Sequence, residues 1–131
     1  MEYVTLNNGV SVPKVGFGIF KIPKEDTVRA VLDAIEVGYR HFDTAQSYMN
    51  EEELGTAIRQ SGIPRKEFFI TTKVWLEHFG EGKTEKSLDR SKDFSVLPSP
   101  KCSSQTLVVI KNSFRGMPDW RMAVPNSSSF I

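Results

Sequence analysis

The fold of this chain is decided by residues 39–75, YRHFDTAQSYMNEEELGTAIRQSGIPRKEFFITTKVW. Within this stretch, YRHFDTA reads as one strand and EFFITTKVW as the next. Between them, NEEELGTAIRQSG predicts a helix that Asn50 can cap and that ends at Gly62. A strand, a helix and a second strand in this order are typical of parallel strands joined by a right-handed crossover.

The residues before this stretch continue the same alternation. YVTLNNGVSV predicts a β-hairpin, because Asn8-Gly9 suits a turn that needs positive φ. KVGFGIF predicts a short strand, but its glycines do not form the GxGxxG signature, which counts against a Rossmann nucleotide site. KEDTVRAVLDAIEVG predicts a helix, because its apolar residues recur with helical spacing at Val28, Val31, Leu32 and Ile35. The pattern predicts an α/β fold and leaves open whether the sheet is a closed barrel or a doubly wound sheet.

The character of the chain changes after Ser91. Up to Ser91, GKTEKSLDRS could begin a third helix. Beyond Ser91, TLVVI, at residues 106–110, could form one strand. The other residues of the tail show neither helical nor strand periodicity. We therefore predict two parts, an α/β domain at residues 1–91 and a divergent, irregular tail at residues 92–131.

The composition argues against several function classes. The chain has 131 residues and a net charge of +1, without the basic excess typical of proteins that bind nucleic acid or a membrane surface. Its single cysteine, Cys102, cannot form an internal disulfide. No apolar run approaches the roughly 18 residues of a membrane span, and the start has no leader pattern. We expect a cytoplasmic protein.

Three polar residues near the predicted strand ends could form a catalytic site. Asp43 lies at the end of one predicted strand, Tyr48 follows that strand, and Lys73 lies near the end of the next. Parallel pairing would bring the three residues to one rim of the sheet. An ammonium beside a phenol stabilises the phenolate and lowers the phenol's pKa, and a carboxylate keeps the lysine charged and in place. The tyrosine then becomes a usable general acid. On spacing alone, a simple strand-end ion pair is the other interpretation.

The sequence also resembles a known family. The stretches LNNGVSVPKVGFGIFKIP and AIEVGYRHFDTAQSYMNEEELGTAIRQSGIPRKEFFITTKVW are similar, in order, to the aldo-keto reductase family, and DTAxxYxNExxLGxAI followed by TTK is a highly specific signature. The resemblance covers residues 1 to about 91. It implies the N-terminal portion of a (β/α)8 TIM barrel, closed at the bottom by the hairpin. It also implies reduction of an aldehyde or ketone with NADPH, bound without a Rossmann domain.

The resemblance implies a role for individual residues. Tyr48 matches the family's proton donor, and the residues that tune it match Lys73 and Asp43. Positions near the nicotinamide ribose and ring match Gly18, Ile19, Phe20 and Asp43. Positions that line the substrate pocket match Phe20, Tyr48 and Trp75. The partner would be a small carbonyl compound; which one, and whether NADH can replace NADPH, stay open.

The chain departs from the family pattern after Ser91. The family has a fourth catalytic member, a histidine in an LIHxP-like segment, and here SKDFSVLPSP stands where that strand would begin. A (β/α)8 barrel also needs roughly 250 residues. The alternative prediction is therefore a truncated or frame-shifted reductase fragment without catalytic activity. An incomplete barrel leaves a strand edge unpaired, which makes self-association possible.

Two further residues could belong to binding sites. His41 lies two residues before Asp43 and could begin a metal site, but the chain offers only His78 and Cys102 as further histidine or cysteine ligands. We therefore expect no metal and a packed His41. Lys111, in VVIKNS, faintly resembles a late family segment that contacts the cofactor phosphate, but the match is short and we favour a chance apolar strand.

Overall fold

The computed structural model describes residues 1–6, 9–74, 82–93, 106–111 and 120–123. It begins with a hairpin in which β1 (Tyr3–Thr5) pairs antiparallel with β2 (Ser11–Pro13). Gly9 in the turn has φ of 83°, a left-handed conformation that glycine adopts without a steric penalty. The predicted hairpin is confirmed.

A five-stranded sheet forms the centre of the described structure. Its strands lie side by side in chain order: β3 (Phe17–Gly18), β4 (His41–Asp43), β5 (Phe69–Val74), β6 (Thr106–Lys111) and β7 (Trp120–Ala123). Pairing is parallel from β3 to β6 and antiparallel between β6 and β7. The helices that follow β3, β4 and β5 are α1 (Lys24–Glu36), α2 (Glu51–Gln60) and α3 (Lys83–Asp93). The predicted α/β alternation with parallel pairing is confirmed.

The described strands form an open sheet and not a closed barrel. β6 includes the predicted strand TLVVI, and the antiparallel β7 lies beside it at one edge of the sheet. The prediction of an irregular tail is wrong for β7, whose four residues, WRMA, show little alternation. Its place comes from backbone pairing with β6, which the local sequence pattern does not reveal. The division of the chain at residue 91 stays a prediction.

The core lies between the sheet and the two helices α1 and α2. The predicted apolar stripes of both helices face it, with buried side chains at Val31, Ile35, Leu54, Ala57 and Ile58. The sheet and its approaches contribute the buried side chains of Phe42, Phe68 and Ile70. Burying one such large side chain stabilises the fold by about 1.5 to 3 kcal/mol. These contacts hold the ends of β4 and β5 in place.

The helix boundaries follow local signals. Glycines with positive φ follow α1 and α2, at Gly38 with 104° and Gly62 with 69°. Asn50 stands at the N-cap of α2, but its side chain makes no capping hydrogen bond, so that part of the prediction is wrong. None of the helices in the described ranges is long and apolar enough to cross a membrane.

Candidate active site

The carboxyl ends of β3, β4 and β5 meet at one rim of the sheet. The parallel register places Gly18 beside Asp43, and Asp43 beside Thr71. Lys73 follows Thr71 by two residues, so both side chains point to the same face of β5. Sites in parallel α/β folds lie at this rim. Parallel pairing thus explains how Asp43 and Lys73 come together.

The Lys73 ammonium is the centre of the cluster. Its Nζ donates to both carboxylate oxygens of Asp43 at 2.7 Å and to the main-chain oxygen of Thr44 at 3.1 Å. The same atom lies 3.4 Å from the hydroxyl oxygen of Tyr48 and 5.3 Å from the centroid of its ring. Because 3.4 Å is long for a hydrogen bond, the ammonium acts on this hydroxyl mainly through its charge.

The exposure of this ion pair separates it from an ordinary surface pair. The side chains of Lys73 and Asp43 are 28% and 38% exposed. In the hairpin pair Lys14–Glu2, with 2.9 Å between the charged atoms, the side chains are 51% and 82% exposed. Water screens such an exposed pair strongly. The Lys73 pair is less accessible to water and has a phenol hydroxyl beside it.

Tyr48 is held at the rim by a short 3-10 helix, Gln46–Tyr48. Met49 follows with φ of 60° and turns the chain into α2. The ring of Phe20 lies against the Tyr48 ring, with 4.8 Å between the centroids and an angle of 42° between the planes. Phe20 is itself 60% exposed. An apolar surface open to solvent therefore stands next to the tyrosine.

The predicted cofactor residues Gly18, Ile19 and Phe20 contribute in different ways. The Ile19 side chain is fully buried in the core, and its N–H donates to the main-chain oxygen of Asp43 at 3.1 Å. Ile19 can therefore offer a ligand only its backbone. Among the described residues other than its two chain neighbours, no heavy atom lies within 4 Å of the place that a Cβ on Gly18 would take, so this part of the rim leaves room for a ligand.

Four residues considered in the sequence analysis lie outside the site that the structure describes. Trp75 is outside the described residues, as are His78 and Cys102. Lys111 is the last residue of the apolar strand β6, and a phosphate contact stays the less favoured alternative.

Sequence reasoning missed two buried polar residues at the start of α2. Asn50 is 1% exposed and donates from Nδ2 to the main-chain oxygens of Ile19 and Ile22 at 3.0 and 3.1 Å. Glu51 is 5% exposed and accepts a hydrogen bond of 2.6 Å from the Thr72 hydroxyl. Glu51 is therefore buried, although a glutamate in the first turn of a helix is usually exposed to water. The available signal was the place of both residues in the run DTAxxYxNE.

A second missed contact joins the 3-10 helix to α3. The Gln46 side-chain amide donates to the main-chain oxygen of Ser87 at 2.7 Å, and the Ser87 hydroxyl donates back to Gln46 at 2.5 Å. Ser87 is 6% exposed. This pair of hydrogen bonds attaches the turn that carries Tyr48 to α3.

His41 lies on β4, on the side of the sheet that faces the hairpin. Its Nδ1 is 3.3 Å from the Pro13 main-chain oxygen, and its Nε2 is 3.1 Å from the Thr71 hydroxyl. Burial lowers the pKa of His41 below 6.5 by desolvating the charged ring, and the bond to Pro13 and the charge of Asp43 offset this in part. The predicted packed histidine is confirmed. Among the described residues, no group of three or more His, Cys, Asp or Glu is placed to hold a metal ion.

Comparison with known proteins gives one consistent result. The model of the aldo/keto reductase family matches residues 14–96. An aldo-keto reductase of Mycolicibacterium smegmatis is 49% identical over 88 residues, which are 67% of this chain and 32% of that protein. Glycerol 2-dehydrogenase (NADP(+)) of Saccharomyces cerevisiae is 44% identical over 90 residues, 69% of this chain and 28% of that enzyme.

A solved structure supports the same comparison. The aldo-keto reductase of Bombyx mori in complex with NADP superposes with a TM-score of 0.67 at 31% identity, over 71% of this chain and 34% of that one. The chain spans about a third of the length of the curated relatives it matches.

Proposed function

Because the chain belongs to the aldo/keto reductase family, we propose that its Asp43–Tyr48–Lys73 cluster serves the NADPH-dependent reduction of an aldehyde or a ketone. The observation that carries the proposal is the position of the Lys73 ammonium, 2.7 Å from both Asp43 oxygens and 3.4 Å from the Tyr48 hydroxyl. In the same proposal, β3 to β6 are strands of a (β/α)8 barrel.

The residues at the rim fit the nicotinamide end of the cofactor. The rim is open at Gly18, and the backbone of Ile19 and the exposed ring of Phe20 border it. The Asp43 carboxylate, 38% exposed, can accept hydrogen bonds from ribose hydroxyls while it holds Lys73. The yeast dehydrogenase carries NADP(+) in its name, and the Bombyx mori reductase was solved in complex with NADP. Both relatives support NADPH over NADH as the cofactor.

The chain's own residues would supply the proton and its electrostatic setting. NADPH, when bound, supplies the hydride for the carbonyl carbon. The Tyr48 hydroxyl donates its proton to the carbonyl oxygen as a general acid. The Lys73 ammonium, 3.4 Å from the Tyr48 hydroxyl oxygen, stabilises the negative charge left on Tyr48. Asp43 keeps the ammonium in place through two hydrogen bonds of 2.7 Å.

The surroundings of Tyr48 favour a substrate with an apolar part next to its carbonyl. Phe20 presents a 60% exposed ring beside the Tyr48 ring. Such a ring can pack against the carbon atoms of an aldehyde or a ketone while the carbonyl oxygen meets the tyrosine hydroxyl. A small carbonyl compound is therefore the proposed substrate class.

The test is NADPH oxidation by the purified chain with a panel of aldehydes and ketones. Tyr48→Phe keeps the ring and removes the proton donor, so turnover should fall by about 100-fold or more. Tyr39→Phe is the matched control, because Tyr39 packs against Phe17 in the core cluster. Equal turnover in Tyr48→Phe and the unmodified chain would contradict the proposal.

A second candidate is a reductase fragment without activity of its own. It is favoured by the family match, which ends at residue 96, and by the antiparallel β7 beside the parallel strands. A truncated or frame-shifted product has both features. Sequencing the coding DNA discriminates: an LIHxP-like strand in a shifted frame after Ser91 would support this candidate. Saturable NADPH binding to the chain would argue against it.

A further inference from the structure

We propose that Asn50 is a positioning residue, which holds Phe20 against Tyr48 by fixing the turn between β3 and α1. The proposal concerns how the rim is held and rests on the proposed function only for the roles of the two rings. The observations that support it are the hydrogen bonds of one buried amide and the backbone conformation of the turn to which it binds.

The Asn50 amide uses both of its N–H groups on this turn. Nδ2 donates to the main-chain oxygens of Ile19 at 3.0 Å and of Ile22 at 3.1 Å. A third oxygen, Oγ1 of Thr27, lies 3.4 Å away, and the Thr27 hydroxyl itself donates to the Pro23 carbonyl at 2.8 Å. Because all three neighbours are oxygen atoms, only the nitrogen of the amide can face them.

The turn that Asn50 binds is one that the backbone does not adopt readily. Between the two bound carbonyls, Lys21 has φ of 63°, in the left-handed region that non-glycine residues rarely adopt. Met49, directly before Asn50, has φ of 60°. Such conformations persist where the surrounding contacts determine them. The Asn50 side chain connects these two strained segments.

Each strained residue follows one of the two rings. Lys21 follows Phe20, and Met49 follows Tyr48. The rings lie 4.8 Å apart, yet Phe20 is 60% exposed and has little packing of its own to hold it. The buried Asn50 amide is a polar connection between the two segments, so its loss should release Phe20 from Tyr48.

The start of α2 is also fixed on its other side. Glu51, the next residue, is 5% exposed and accepts a 2.6 Å hydrogen bond from Thr72, which directly precedes Lys73 on β5. The residue next to Asn50 is therefore attached to β5. A side chain held in this way can fix the position of a turn.

The test is a measurement of ring contacts in the full chain by NMR, with Asn50→Ala as the variant. We expect the nuclear Overhauser contact between the Phe20 and Tyr48 rings to be lost. The contact between Phe17 and Tyr39, whose centroids lie 5.6 Å apart beside the core, should stay. Persistence of the Phe20–Tyr48 contact at its original intensity would overturn the proposal.

Ser61→Ala is the matched control at the other end of α2. It removes the hydroxyl that donates to the Ile58 carbonyl at 2.7 Å and accepts from the Ile63 N–H at 3.2 Å. It should keep the Phe20–Tyr48 contact. If Ser61→Ala loses that contact too, the effect belongs to the stability of the helix and the proposal is overturned.

A second variant covers the case in which Asn50→Ala loses the Phe17–Tyr39 contact as well. Asn50→Ser keeps a small polar group in the buried site, but one hydroxyl hydrogen cannot bind two carbonyls. The same loss of Phe20–Tyr48 contact is expected, and its retention overturns the proposal. With NADPH and a carbonyl substrate, Asn50→Ala should lower kcat/KM by about 100-fold, and Ser61→Ala should not.

The two proposals can fail separately. The ring contact is measured without cofactor, so a chain that binds no NADPH can still show the loss in Asn50→Ala. In that case the proposed function fails and the positioning role stands. If the chain turns over NADPH and the ring contact survives Asn50→Ala, the proposed function stands and the positioning role fails.

Discussion

At the scale of single residues, the Lys73 ammonium meets four oxygen atoms at the rim: two of Asp43, one of Thr44 and the hydroxyl oxygen of Tyr48. The positive charge of Lys73 has two consequences at this rim. It holds the Asp43 carboxylate at the end of β4, and it places a cation beside the group that is proposed to lose a proton. A neutral side chain of similar length would supply neither.

Lys73→Met should therefore lower carbonyl turnover by about 100-fold or more, because a fixed charge next to the reacting group is lost. The measurement is NADPH oxidation at saturating carbonyl, together with the unfolding free energy of each variant. Lys14→Met, which removes the exposed partner of Glu2, is the control and should keep turnover. If both variants keep full turnover, the Lys73 pair is an ordinary strand-end ion pair.

His41 gives a prediction on the pH dependence of stability. Burial lowers its pKa in the folded state below the value of 6.5 that the unfolded chain has. Below pH 6.5 the unfolded state therefore binds more protons, and the unfolding free energy falls as the pH falls from 6.5 toward the folded-state pKa. Well above pH 6.5, His41 is neutral in both states, so its titration no longer changes the unfolding free energy with pH.

The check is urea unfolding of the unmodified chain and of His41→Asn between pH 5 and 8. The asparagine amide can still donate to the Pro13 carbonyl, the acceptor nearest to Nδ1. The variant should lose part of the decline below pH 6.5. Two pH profiles that run parallel over the whole range would contradict the lowered pKa.

At the scale of elements, α2 connects the core to the site. Its inner face packs in the main core cluster through Leu54, Ala57 and Ile58. Its N-cap residue Asn50 binds the turn after β3, and its first residue Glu51 binds strand β5. The helix therefore connects the packed core to the two segments that position Phe20 and Lys73.

Leu54→Ala should lower the unfolding free energy by about 3 kcal/mol, because it leaves a cavity at a side chain with 0% exposure. Urea unfolding measures the change. Gln60→Ala, at an exposed position in the last turn of the same helix, is the control and should change stability by less than about 0.5 kcal/mol. Equal effects of the two variants would show that the core is not packed around Leu54.

At the scale of the whole molecule, the open sheet raises the question of whether this chain binds the cofactor by itself. The described rim has the residues proposed for the nicotinamide end, whereas the matched part of this chain covers about a third of each relative. A ligand bound by the native state alone raises the unfolding free energy by RT ln(1 + L/Kd), where L is the free ligand concentration. The thermal stability of the chain is thus a direct measure of whether it binds the cofactor by itself.

If the chain binds NADPH, a concentration 100 times the dissociation constant should raise the unfolding free energy by about 2.7 kcal/mol. Differential scanning fluorimetry with increasing NADPH, beside a fluorescence titration, measures this. NADH is the control that tests the preference for the phosphate. A thermal midpoint that stays constant up to millimolar NADPH would contradict binding and support the inactive fragment.

Several parts of the fold could be predicted from local sequence. The helices α1 and α2 end where glycines with positive φ, Gly38 and Gly62, follow them. The meeting of Asp43 and Lys73 could be predicted as well, because parallel strands bring their carboxyl ends to one rim. Strand β7 could not be predicted, since its partner β6 supplies the pairing. The environments of Asn50 and Glu51 were also missed, because an N-cap residue and a first-turn glutamate are usually exposed.

By itself, the sequence determined the order of strands and helices, the parallel arrangement and the family, because periodicity, glycine turns and the DTAxxYxNE run are properties of neighbouring residues. The tertiary structure alone decided that the Asn50 amide binds Ile19 and Ile22, and that Phe20 lies on Tyr48. These contacts join residues about 28 to 31 positions apart in the chain. Their formation depends on how the packed core places one turn against another, which no local pattern contains.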